Sequence, residues 1–123
     1  MRRSAAVMCA LGLALGALVA CGGQDAAYCD VLTEGVDLAS ADPSDAKGFA
    51  ALSKQLDKAA DAAPDEIKEH WITLSTTMKA TRAAVVDPGN ADKAQLEQNR
   101  QAAEEAVNAV SFDAKQRCNL EVS

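Results

Sequence analysis

Apolar residues recur every three or four positions along four separate stretches of the chain, the spacing of helices that each bury one face. The first stretch predicts a helix over residues 26–40, with Cys29, Leu32, Val36 and Ala39 in line and Tyr28, Val31 and Leu38 widening the stripe. Gly35 inside it weakens the helix by about 1 kcal/mol relative to alanine, or admits a close helix neighbour. Asp42 and Ser44 flank Pro43 and are placed to cap a second helix over residues 44–62, whose stripe is Phe49, Leu52, Leu56, Ala59 and Ala63. Lys47, Lys54, Asp57, Lys58 and Asp61 take its other faces. Pro64, Asp65 and Glu66 repeat the device, with carboxylates at the positive end of the helix dipole. The third helix then runs to about Val86, and Ile67, Trp71, Leu74, Met78, Thr81 and Val85 form the most regular stripe in the chain. Asp87-Pro88-Gly89-Asn90 is the strongest turn signal, and Asn90 is placed to cap a fourth helix from Ala91. Leu96, Ala103, Val107, Val110, Ala114 and Cys118 keep its period; Ser111-Phe112-Asp113 is a place for a kink or an early end, and 119–123 is a tail.

Four such helices with short connections predict an all-α fold, an antiparallel up-down-up-down four-helix bundle over residues 26–123. Strand-forming residues are sparse, alanine is abundant, and the aromatic residues are only Tyr28, Phe49, Trp71 and Phe112. Small side chains at helix contacts are therefore expected. No repeat, low-complexity linker or second domain interrupts the pattern.

The chain before the first helix has a different character. Arg2 and Arg3 precede an apolar run over residues 5–19, and Ala20 is the small residue ahead of Cys21. These are the three parts of a secretory signal, and the run is too short and glycine-rich for a membrane span of about 20 apolar residues. Leu18-Val19-Ala20-Cys21 resembles a bacterial lipobox. The expected organisation is a cleaved signal-peptide helix over 1–20, the lipidated cysteine and a short tether over 21–25, and the bundle. The resemblance implies a diacylglycerol on the Cys21 sulfur. Two acyl chains give stable anchoring where one gives only marginal binding, at about 0.8 kcal/mol per buried methylene. The expected location is thus the extracytoplasmic side of the cell membrane.

Charge and cysteine content sharpen this reading. The chain holds 12 basic and 18 acidic residues, a net charge of −6; loss of Arg2 and Arg3 with the signal takes it to −8. Such a domain is a poor nucleic-acid binder, since phosphate contacts need Lys and Arg, and anionic headgroups repel it. Of four cysteines, Cys9 leaves with the signal and Cys21 takes the lipid. Cys29 and Cys118 remain as an even pair in an oxidising compartment. In the expected topology the start of the first helix and the end of the fourth share one end of the bundle, which brings the pair within bridging reach. The alternative is two buried free thiols.

The candidates for chemistry are thin. His70, one turn from Glu66, offers two metal ligands and no third, so a surface histidine beside a core-facing Trp71 is the expected reading. Ser75, Thr76 and Thr77 sit mid-helix, without the turn of an activated nucleophile. Trp71, Leu74 and Met78 are the residues to line an apolar pocket or face a partner, although such a stripe is more often plain core. Glu97, Glu104, Glu105 and Asp113 make the fourth helix acidic, a solvated face or a dock for a basic partner. No cofactor or metal is called for, and no enzyme activity is expected.

As a whole the chain resembles the small, alanine-rich helical lipoproteins of actinobacteria. The resemblance is carried by the lipobox at Cys21, by Ala27-Tyr28-Cys29-Asp30 opening the first helix, by Trp71, and by Arg117-Cys118-Asn119-Leu120. Asn119 stands where a glycine usually follows the last cysteine. This resemblance implies location and architecture but no reaction. The expected function is a non-enzymatic protein-interaction module of the cell envelope, held to the membrane through Cys21 and meeting an envelope protein. The alternative is a carrier of a small apolar ligand between helices.

Overall fold

The computed structural model describes residues 23–38 and 42–122. The expected signal segment, Cys21 and the expected break at Ala41 lie outside the described residues, as does Ala39. Four helices pack together, and no strand occurs among the described residues: α1 (Gly23–Thr33), α2 (Ala46–Ala62), α3 (Asp65–Val86) and α4 (Lys93–Cys118). Each helix touches the next, and α4 closes the ring on α1. The core where they meet holds Tyr28 and Leu32 from α1, Leu52, Leu56 and Ala59 from α2, Ile67, Trp71 and Leu74 from α3, and Ala106, Val110 and Ala114 from α4. Alanine at so many contacts lets the backbones approach closely, as the composition implied.

The expected stripes are buried along part of their length, Val85 at the end of the third is exposed, and several boundaries move. The first helix stops at Thr33, seven residues short of the expected end. Gly35 takes φ +104°, a conformation open to glycine, and its N–H bonds the Leu32 carbonyl at 3.1 Å. It therefore ends the helix rather than merely weakening it. Val36 still reaches the core from the extended chain beyond. Gly35→Ala should cost about 1–2 kcal/mol, because a Cβ is disfavoured at positive φ even with open space around it. Equal denaturation midpoints for the variant and the parent would contradict this.

Caps differ from expectation in the same local way. Asp45, not Asp42 or Ser44, caps α2 by accepting the Lys47 N–H at 3.1 Å. Asp42 is committed to its own turn, accepting from the Ser44 N–H and hydroxyl, and those bonds hold its carboxyl below the usual range. Asp92 caps α4 through the Gln95 N–H, while Asn90 lies in a single 3-10 turn, Pro88–Asn90. The α4 helix runs through Ser111-Phe112-Asp113 without a break. It ends at Asn119, φ +53°, the left-handed position that asparagine tolerates in place of glycine.

The tail is folded back rather than loose. Val122 is buried, and its carbonyl accepts the Ser111 hydroxyl at 3.0 Å. His70, expected to face water, is half-buried, and Trp71 beside it is fully enclosed. About 100° separates neighbouring helical residues, enough to take the imidazole to the margin of the core but not clear of it.

Candidate functional site

Length mismatch leaves a concave feature among the described residues. At 1.5 Å per residue, α1 spans about 16 Å, α3 about 33 Å and α4 about 39 Å. The Cys29–Cys118 disulfide, with Cα atoms 5.4 Å apart, fixes α1 beside the last turn of α4. Asp25 reinforces it, accepting from Arg117 Nη1 at 3.0 Å. The short helix thus covers only the C-terminal part of α4 and the N-terminal part of α3. Beyond its end, the slot between α3 and α4 continues as an open groove of about 950 Å³.

The groove floor is apolar: Ala84 and Val85 from α3, and Leu96, Ala103 and Val107 from α4. These residues extend the predicted core stripes, yet Leu96, Ala103 and Val107 are only half-buried and Val85 is 47% exposed. The α4 wall is charged. Arg100 donates to both oxygens of Glu97, at 3.0 and 2.6 Å, and also to Glu104. Those bonds, with one from Gln101, hold the Glu97 carboxyl down to about 2 and raise the Arg100 guanidinium further above its already high value. Lys93 stands exposed at the near end of the same wall.

The residues singled out from sequence fall elsewhere. Trp71 and Leu74 are buried in the core, and Met78 packs half-buried against it. The Trp71 indole donates to the Tyr28 hydroxyl at 2.7 Å, and the two rings meet edge to face with centroids 6.2 Å apart. Burial pushes the Tyr28 phenol up to about 12. Ser75 is buried and donates to Asp57 Oδ1 at 2.6 Å, while Lys79 reaches the same carboxylate at 3.1 Å. Thr77 donates to the Asn99 carbonyl at 3.3 Å, so both hydroxyls serve as ties between helices. Asp113 is half-buried and bonds Arg117, lifting that guanidinium, whereas Glu105 is exposed. No group of three or more metal-ligating side chains occurs among the described residues. No described helix is long and apolar enough to cross a membrane.

The Asp57 cluster yields a pH prediction. Its carboxyl is held below the usual 3.8, first by the Ser75 hydroxyl and then by Lys79. The contribution is therefore fully present above the unfolded value near 3.8 and is lost as pH falls through the lower folded value. Asp57→Asn should destabilise at neutral pH, by an amount kept small because the side chain is half exposed. The gap from the parent should close on acidification; a gap that widens instead would show the sign to be wrong.

The groove itself escaped the sequence pattern. Its only signal was an excess of stripe: Leu96, Ala103, Val107 and Val85 continue past the length that a helix ended by Gly35 can cover. Comparison with known proteins adds nothing to the site, since no family model fits the chain and no curated protein or solved structure matches it.

Proposed function

We propose that this chain is a lipid-anchored module of the cell envelope that binds another protein through the groove between α3 and α4. The observation that carries the reading is the groove, an apolar slot of about 950 Å³ with a charged wall. Helix-in-groove recognition uses such a surface, with apolar anchors at helical spacing entering the slot. The cyclic order of helix contacts and the Cys29–Cys118 bridge support the finer architecture, an antiparallel up-down-up-down bundle. In that arrangement the start of α1 and the end of α4 share one end of the bundle. A lipid on Cys21, two residues before α1, then joins the chain to the bilayer from that end of the bundle, while the groove lies toward the other end of α4. The lipobox and the likeness to alanine-rich actinobacterial lipoproteins support the anchor.

Two measurements test this. Metabolic labelling with a fatty-acid analogue should mark the parent and not Cys21→Ala; equal labelling removes the anchor. A photo-crosslinking residue at Ala103 in the full-length lipoprotein, in its own membranes, should give a discrete protein adduct that Leu96→Asp abolishes. A reagent at Ala103 that captures no protein removes the interaction module. The apolar floor also favours the second reading, a small apolar ligand, because pockets of roughly 300–1,000 Å³ take such molecules. A ligand extracted with the purified protein and displaced by Ala103→Trp, without any protein adduct, would select it.

A further inference from the structure

The charged wall of the groove has an internal order. Lys93, Glu97, Arg100 and Glu104 stand three or four residues apart, so they form one row along α4, and their signs alternate: plus, minus, plus, minus. Turned end over end about the midpoint between Gln98 and Asn99, this row becomes its own complement. Lys93 then faces Glu104, and Glu97 faces Arg100. Side-by-side packing in the parallel sense would instead set Lys93 on Lys93 and Glu97 on Glu97.

We propose that the groove is occupied by a second copy of this chain, packed antiparallel about a two-fold axis that passes between the two α4 helices, level with Gln98 and Asn99. The proposal rests on the interaction-module reading and names its partner. Two-fold interfaces require a surface complementary to itself, and an alternating row on a helix meets that requirement where a single-sign patch cannot. The row also sums to zero, in a chain whose net charge is −6. A basic partner would gain no net attraction there, whereas two copies, repelled over the rest of their surfaces, meet without that penalty. The ions can take further contacts, since Arg100, Glu97 and Glu104 side chains are 52–64% exposed. Leu96, Ala103 and Val107, with Val85, supply the apolar area to be covered, and Ala103 lets the backbones approach. An axis along the bilayer normal sets both Cys21 tethers at one height, so two chains anchored in the same leaflet can pair, with tethering raising their effective concentration.

Charge exchange provides the test. Two tagged copies of the full-length lipoprotein are expressed together and solubilised from their own membranes in mild detergent, and one tag is used to recover the other. Parent copies should co-purify. Arg100→Glu paired with itself sets Glu97 against a glutamate, and Glu97→Arg paired with itself sets arginine against Arg100. Each homotypic pair should fall at least about tenfold, since like charges across an interface are strongly unfavourable. Arg100→Glu paired with Glu97→Arg restores both contacts and should recover to near the parental level. A role confined to one chain would not produce that reciprocal rescue. Parent copies that fail to co-purify, or a mixed pair no better than the homotypic ones, overturn the proposal. If the Ala103 adduct contains a different protein, the second copy is excluded while the module reading stands; if there is no adduct at all, both fall.

Discussion

Replacing Trp71 with alanine is expected to remove about 3–5 kcal/mol of folding stability, the cost of a large cavity where an aromatic core residue stood. Domains of this size are stable by only about 5–15 kcal/mol, so the loss is a large fraction of the whole. The indole is fully enclosed, and it is the largest side chain of a core otherwise rich in alanine. Small neighbours cannot swing in to fill the space, which places the cost toward the upper part of the range. Its N–H is also spent on the Tyr28 hydroxyl, so truncation strips a buried oxygen of its donor. Tyr28→Phe breaks the same bond from its other side: the ring stays, the indole N–H loses its acceptor, and about 1–3 kcal/mol should be lost. His70→Ala should cost least, because the imidazole is only half-buried at the core margin. Urea denaturation of the three variants should rank them Trp71, Tyr28, His70. A Trp71→Ala protein more stable than Tyr28→Phe would mean that the core closes over the hole, contrary to the packing described.

Much of the fold was legible because burial repeats at the helical period. Leu52, Leu56 and Ala59, Ile67, Trp71 and Leu74, and Val110 and Ala114 lie on the faces that their spacing predicts, and all are buried. What escaped the pattern depends on single backbone choices and on the lengths of neighbours. Gly35 carries no side chain to mark a face, so period alone could not tell a weakened helix from a finished one; its positive φ makes it the end. Asp42, Ser44 and Asp45 all have capping side chains, and the turn that Asp42 makes with Ser44 leaves Asp45 as the cap. Val122 lies in a polar tail with no period of its own, yet the fold-back after Asn119 buries it. The groove is a difference between helix lengths, which no single stripe records: Leu96 and Val107 read as core because their spacing is that of core. Trp71, which its stripe with Leu74 and Met78 offered as either a pocket lining or plain core, is fully buried and meets Tyr28 edge to face.

Reduction of the Cys29–Cys118 disulfide is expected to have the other large effect. The bridge spans 89 residues, and in the chain-entropy account closing a loop of that length restricts the unfolded chain by about 4–5 kcal/mol. For a domain of about 100 residues each kcal/mol moves the melting temperature by about 4–8 °C, so a fall on the order of 20 °C should follow reduction. Helical content at low temperature should survive, because the stripes on α2, α3 and α4 do not depend on the bridge. The effect should be uneven along the chain. With 11 residues, α1 is shorter than the roughly 12–15 that an isolated helix needs, so it owes its order to what holds it in place. Besides the disulfide, those ties are the Tyr28–Trp71 hydrogen bond, the Asp25–Arg117 ion pair and the burial of Tyr28 and Leu32. Reduction leaves these contacts but makes the excursions of α1 local rather than global, so its amides should gain exchange with solvent well before those of α3. The Cys29→Ser, Cys118→Ser double variant should match the reduced protein in both melting and exchange. Free thiols at both positions in native protein, or superimposable melts with and without reductant, would refute the role assigned to the bridge. Loss of all helical signal on reduction would show that α1 is needed to hold the other three helices together.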